Sequence, residues 1–208
     1  AVMAVTTCSK LLIMALGLSI AIERWIFLRK ARSQNKREWA QMLPQLQGGQ
    51  LKEVLSTASK SDSAIANIVN HGLTRLQTSR RREDLDAAME EGMMEIVPRL
   101  ERRTHYLATF ANVITLVGLL GTIIGLIKAF TAVAQVNPAE KAELLSASIS
   151  IAMNNTAFAL SVAIPFLLIH AFLQARTSEI VDGLEAAKIS FLNVVQRVRN
   201  DAAPTGTR

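Results

Sequence analysis

The sequence predicts an all-α membrane protein with three transmembrane helices, the second and third extended into a cytoplasmic helical bundle. Three observations predict it. Two long apolar runs, Leu107 to Ala134 and Leu144 to Ala175, hold no Asp or Glu, and each exceeds the roughly 20 helical residues that cross a bilayer core about 30 Å thick. The charged residues, 19% of the chain, crowd into Glu23 to Arg103 and Arg176 to Arg208, so the gaps between them read as spans. Helix-forming Ala, Leu, Met, Glu, Lys and Arg dominate, while Gly and Pro number only ten and five in 208 residues, which favours helix throughout.

The first transmembrane helix is expected over residues 1–28. Lys10 interrupts it, and a lysine at mid-bilayer is costly, so the apolar span is expected from Leu11 to Leu28 with Lys10 at one surface. Trp25 and the pair Arg29-Lys30 mark the other surface. Glu23, Arg24 and a basic run follow the apolar stretch, not a small-residue cleavage motif, so it reads as a retained helix and not a signal peptide. Arg24, Arg29, Lys30, Arg32, Lys36 and Arg37 outweigh the lone Lys141 of the link at 135–143. The positive-inside rule then puts the N-terminus and the link outside and the C-terminus in the cytoplasm.

Residues 29–104 read as a cytoplasmic helical region. Leu51, Val54, Leu55 and Ala58 share a face, and Ile65, Ile68, Val69, Gly72, Leu73 and Leu76 make a second stripe. Gly48-Gly49 is a turn, and Ser61-Asp62-Ser63 is a helix cap. Leu85, Met89, Met93, Ile96 and Leu100 form a third stripe. Its helix is expected to run without a loop into the second span at 105–134, with Pro98 as a kink. The third span at 144–175 should continue through 176–200, where Ile180, Leu184, Ala187, Phe191, Val194 and Val198 form a face that needs the Leu85–Leu100 helix as its partner. Residues 201–208 read as a disordered tail.

Several function classes are excluded. The single Cys8 allows no internal disulfide and no thiolate zinc cluster. The net charge of +6 has no aromatic-and-basic platform beside it, so it reads as membrane flanks facing lipid and not as a nucleic-acid surface. His71 and His105 are isolated, and no Ser/His/Asp grouping or metal spacing appears. The chain is therefore expected to carry no catalytic residue, metal or cofactor. The acids Glu83, Asp84, Asp86, Glu90, Glu91 and Glu95, beside Arg80 to Arg82, read as a solvated helix face.

The spans carry a polar seam. Thr115, Gly118, Thr122, Gly125, Ala129 and Ala132 recur at spacings of three and four on one helical face, and Gly121 and Gly125 form a Gly-x-x-x-Gly pair. Ser148, Ala152, Thr156, Ala159 and Ala163 repeat the stripe in the third span, with Asn154-Asn155 beside Thr156 and Ser161 and Pro165 after it. The bland reading is helix–helix packing through Gly118, Gly121, Gly125, Ala152, Ala159, Ala163 and Pro165. The sharper reading is an ion pathway lined by Thr122, Thr156, Thr115, Asn155 and Ser148, because unpartnered polar groups at mid-membrane are expensive. Proton passage needs a titratable side chain within the membrane. The second and third spans offer only Lys128, which snorkels at the outer end, and His170, near the inner end. An acid must then come from another subunit.

Leu100-Glu101-Arg102-Arg103, Leu107-Ala108-Thr109 and Ala111-Asn112 lead into Leu116-Val117-Gly118-Leu119-Leu120-Gly121-Thr122-Ile123-Ile124-Gly125. Then come Ser150-Ile151-Ala152-Met153-Asn154-Asn155-Thr156-Ala157-Phe158-Ala159 and Val162-Ala163-Ile164-Pro165. This pattern resembles the MotA/TolQ/ExbB proton-channel family, on its ExbB/TolQ side. The resemblance implies a homopentamer of three-span subunits in the bacterial inner membrane around a dimer of a one-span ExbD/TolR-like partner whose membrane Asp carries the proton. Thr122 and Thr156 match the family's pore-facing threonines. Proton flow would drive rotation of pentamer against dimer and, through a TonB-like or other periplasm-spanning protein, work on the envelope, as in TonB-type uptake or Tol-type maintenance. One departure is plain: the glutamate many members carry five residues before the third-span threonine is Ile151 here, and Asn154-Asn155 replaces an apolar pair. The role of that glutamate does not transfer, which leaves room for a specialised motor such as a gliding stator. A non-conducting membrane scaffold is the other alternative.

Overall fold

A computed structural model of the chain describes residues 2–79, 81–134 and 136–202. Helix accounts for 92% of it and no strand occurs among the described residues, so the all-α class holds. The helices are α1 (Val2–Gln47), α2 (Leu51–Ala58), α3 (Ala64–Thr78), α4 (Arg82–Glu101), α5 (His105–Val133) and α6 (Pro138–Ala202). Three stretches are long and apolar enough to cross a membrane: Thr7–Gln47, Arg82–Val133 and Pro138–Asn200. The protein is a three-span helical membrane protein.

The element boundaries depart from the sequence expectation in four places. The first helix does not end near residue 28 but continues to Gln47. It stops where Gly49 takes φ +73°, a left-handed conformation glycine adopts without a Cβ penalty, and Gly48 N–H donates to the Pro44 carbonyl at 2.9 Å. The expected continuity of the Leu85–Leu100 helix with the second span is broken at Arg102–Thr104, where Arg103 has φ +67°. Helix propensity at Leu100–Arg103 is a weak prior. At the break Arg103 Nη1 pairs with Glu23 Oε1 at 2.7 Å, and tight turns restart the helix, Tyr106 N–H to the Arg103 carbonyl and Leu107 N–H to the Thr104 carbonyl, both 3.2 Å. Within the expected link, Pro138–Glu143 already forms the first turns of α6, with Pro138 at the opening position that its missing N–H and fixed φ suit. The last helix runs to Ala202, so Asp201 and Ala202 of the expected tail are helical. The rest of the tail lies outside the described residues, as do Arg80 and Gln135.

The chain divides into two compact units, Ala1–Arg24 with Arg103–Gln174, and Trp25–Arg102 with Ala175–Arg208. In the first, α5 buries Leu107, Ala111, Ile114, Gly118, Gly121, Gly125 and Ala129, a helical face in steps of three and four. Ala111 and Ile114 cluster with Ala159, Val162, Ala163 and Phe166 of α6, and Ile13 and Met14 of α1 pack at the edge. Small residues set the approach of these helices. A Cβ on Gly118 would lie 2.4 Å from the Ala159 Cβ, and one on Gly17 would lie 2.4 Å from the Phe166 ring. Leu116, Leu119, Leu120, Ile123 and Ile127 on the far side of α5 are exposed, the pattern of a helix that meets lipid or other helices.

In the second unit, Leu85, Met89, Met93, Ile96 and Leu100 are all buried. Gly72 of α3 sits where a Cβ would lie 2.9 Å from Met89 Cγ and 3.0 Å from Phe191 Cε1. Polar side chains join α4 to the end of α6: Lys188 Nζ meets Glu90 at 2.6 Å and Asp86 at 3.2 Å, and Arg82 donates to Gln196 at 2.6 Å and Asn193 at 3.1 Å. The buried face of α6 turns slightly from the one expected. Leu192 and Val195 are buried while Val194 and Val198 are half-buried. Ser63 caps α3, accepting from Ala66 N–H at 3.2 Å. The same hydroxyl donates to the buried Glu38 of α1. Ser61 reaches both Glu38 oxygens at 2.7 Å and Gln34 Nε2 donates to it at 3.1 Å. Burial acts most strongly on this carboxyl and pushes its pKa up, but the donors Ser63, Ser61 and Gln34, with Arg37 nearby, outweigh it and hold the pKa below the ordinary value.

Candidate functional site

The seam of the first unit is built where α5 and α6 touch. Gly118 lacks a side chain, so α6 comes close enough at Ala159 for its backbone carbonyl to be shared. Thr122 Oγ1 and Thr156 Oγ1 both lie 3.1 Å from the Gly118 oxygen, and the two hydroxyls hydrogen-bond each other. Two hydroxyl protons serve these three contacts. Whether both threonines donate to the carbonyl or one donates to the carbonyl and the other to its neighbour, both protons are used within the contact, so the pair has lone pairs to offer an incoming group and no spare proton.

One residue before Thr122, Gly121 opens a second recess. A Cβ there would fall 1.8 Å from Asn155 Nδ2, so the Asn155 amide occupies the space glycine leaves. Its Nδ2 is buried with no hydrogen-bond partner. The other end of that amide is engaged by Lys10. The lysine is fully buried, and its ammonium donates to the Asn155 backbone carbonyl at 3.0 Å and to Asn155 Oδ1. Lys10 is therefore packed against α6 and not free in solvent. Within α1 a cation is tolerated because an amide on α6 accepts its protons.

The remaining sequence candidates are placed as follows. Thr115 is half-buried and bonds back to the Ala111 carbonyl at 2.9 Å, so its hydroxyl does not join the Thr122–Thr156 pair. Ser148 is half-buried. Gly118, Gly121, Gly125, Ala152, Ala159 and Ala163 are buried, whereas Ala132 and Pro165 are exposed, and Pro165 stands off the packed face. Ser161 bonds back to the Ala157 carbonyl at 2.9 Å. Lys128 is exposed and His170 half-buried. Sequence reasoning missed Lys10–Asn155 and the shared Gly118 carbonyl. The first had a signal: a lone cation in one span and an amide pair in another, both in need of partners.

Three apolar helices packed through glycine and alanine, with a hydroxyl pair and a buried cation in the packing plane, define a helical membrane protein whose spans carry polar machinery. The chain belongs to the MotA/TolQ/ExbB proton channel family, whose model matches residues 60–186. A relative described as a biopolymer transport protein ExbB homolog, from Methanothermobacter thermautotrophicus, is 26% identical over 174 residues, or 83% of this chain. The chain spans 60% of the length of that curated relative.

Proposed function

We propose that this chain is the channel-forming subunit of a motor driven by the proton-motive force. It assembles as a homopentamer in the bacterial inner membrane with the N-terminus periplasmic and the C-terminus cytoplasmic. The pentamer surrounds a dimer of a one-span ExbD/TolR-like subunit whose membrane Asp carries the proton. Work is passed to the envelope, in TonB-type uptake or Tol-type maintenance. The observation that carries this reading is the Thr122–Thr156 hydroxyl pair in spans that hold no carboxylate of their own, in a chain of a proton-channel family. The pair's free lone pairs suit a protonated carboxyl, which donates, and so match an acid that arrives carrying its proton. Thr115, Asn155 and Ser148 extend the polar lining, and the glycine and alanine contacts hold α5 against α6.

The test is proton flux into vesicles holding the chain with its one-span partner. Thr122→Val and Thr156→Val keep the side-chain shape and remove the hydroxyl. Flux is expected to fall at least about tenfold with assembly intact. Unchanged flux would remove the hydroxyls from the pathway, and a wild type that passes no protons would favour a non-conducting scaffold, a reading that the internal satisfaction of the hydroxyls by Gly118 also suits. Ile151, standing where many relatives have glutamate, keeps a specialised motor such as a gliding stator as the second conducting reading.

A further inference from the structure

We propose that Lys10 is an electrostatic positioning residue of the ion pathway, holding Asn155 in place and favouring the ionised form of the acid that the Thr122–Thr156 pair receives in its protonated form. This inference rests on the conducting reading above and adds to it a residue from α1.

Three observations carry it. Lys10 is fully buried and makes both of its hydrogen bonds to one residue, Asn155, the immediate neighbour of Thr156. Lys10 has no carboxylate partner among the described residues, and the acid nearest to it in the chain, Glu23, is thirteen residues on, about 20 Å along a helix, and is paired with Arg103. A buried cation without a counter-charge is unfavourable by several kcal/mol, and an anion brought to the seam relieves that. Finally, Asn155 accepts from the ammonium at Oδ1 while its Nδ2 is buried and unpartnered against Gly121. A cation on the oxygen side polarises the amide, so Asn155 carries the positive potential of Lys10 to the position beside Thr156.

The two halves of the seam are thus complementary. The hydroxyl pair offers lone pairs to a neutral acid, while the lysine–amide pair offers positive potential to its conjugate base. An acid that moves between them meets a site suited to each protonation state. Other titratable groups of the same unit stand farther off or outside this contact. On α1 they are Cys8, which is exposed, and Glu23 and Arg24 at the far end of the span. Arg103 precedes α5, which carries His105 and Tyr106 at its start and the exposed Lys128 near its end. On α6 they are Glu140, Lys141 and Glu143 in the first turns, and His170, fifteen residues beyond Asn155. Lys10 is therefore the fixed charge closest in contact to Asn155 and Thr156.

The experiment measures the pH dependence of proton flux in vesicles holding the chain with its one-span partner. It compares the wild type with Lys10→Gln, which keeps a donor and loses the charge, Lys10→Met and Lys10→Arg. A positive charge lowers a neighbouring carboxyl pKa by one unit or more at close range, so the neutral variants are expected to move the flux midpoint up by about one pH unit, with Lys10→Arg close to wild type. Neutral variants that assemble and keep the wild-type midpoint overturn the proposal. So does assembly restricted to the wild type and Lys10→Arg, which would make the charge a packing requirement only. If Thr122→Val and Thr156→Val abolish flux in the same vesicles while the Lys10 midpoint stays fixed, the conducting reading stands and only this inference fails. If the wild type passes no protons, both fail.

Discussion

Thr122 and Thr156 come from different spans and meet over one backbone oxygen, the Gly118 carbonyl, 3.1 Å from each hydroxyl. A glycine permits the contact, since any Cβ at position 118 would collide with the Ala159 Cβ. Packing and polar chemistry are therefore the same feature in this seam.

The hydroxyl pair should be energetically coupled yet modest in stability. Hydrogen bonds between membrane helices average about 0.6 kcal/mol with a maximum near 1.7. A double-mutant cycle with Thr122→Val and Thr156→Val, read by unfolding in detergent, is expected to give a coupling of about 0.5–1.5 kcal/mol. A coupling of zero would mean the hydroxyls do not meet in the assembled protein.

Three glycines should respond differently to alanine. At Gly118 the clash is with a Cβ that cannot rotate away, so Gly118→Ala should destabilise by about 1–3 kcal/mol and lower flux. At Gly121 the clash is with the tip of Asn155, which can swing aside. Gly121→Ala should unfold less readily than Gly118→Ala but release Asn155 from Lys10. Gly183, with nothing within 4 Å of an added Cβ, should gain about 0.5–1 kcal/mol from helix propensity. Thermal midpoints in one detergent order the three.

Glu38 should make the second unit acid-sensitive. Its folded pKa is depressed, so its stabilisation is present above the ordinary carboxylate value and is lost as pH falls through the folded pKa. Glu38→Gln should remove that acid limb and cost about 1–3 kcal/mol at neutral pH, since Ser61 and Ser63 lose a charged acceptor. Unfolding followed from neutral to strongly acid buffer tests this.

Lys188 should act at the opposite end of the pH scale. Burial, the strongest influence, lowers its pKa, but hydrogen bonds and attraction from Glu90 and Asp86 together raise it above the ordinary value. Its stabilisation is complete below that ordinary value and is lost as pH rises through the raised one. Lys188→Met should cost about 1 kcal/mol at neutral pH, a difference that disappears in strongly alkaline buffer.

The spacing of Thr122, Gly118 and Gly125 and of Thr156, Ala152 and Ala159 made the seam legible, because a helical face follows from steps of three and four alone. Ser63 as a cap and Gly49 as a turn were legible for the same local reason. The partner of Lys10 was hidden because a single lysine near the start of an apolar run reads as a boundary marker. Only tertiary packing brings Asn155 to it, 145 residues away. The break at Arg103 was hidden because Leu100–Arg103 has strong helix propensity, and the Glu23 carboxylate that Arg103 meets there is distant in sequence. The rotation of the α6 face toward Leu192 and Val195 was missed because each lies one position beside a residue of the expected stripe, Phe191 and Val194, and steps of three and four fit either row.

Of the arrangements open to two protons among three oxygens, two link the threonines to each other. In one, Thr122 points at the carbonyl and Thr156 at Thr122; in the other the roles reverse. Passing between them needs only torsion about two C–O bonds, and it reverses the local dipole and moves the vacant lone pairs from one helix to the other. The seam is thus a small reorientable dipole, set in rigid backbone and responsive to whatever charge approaches it.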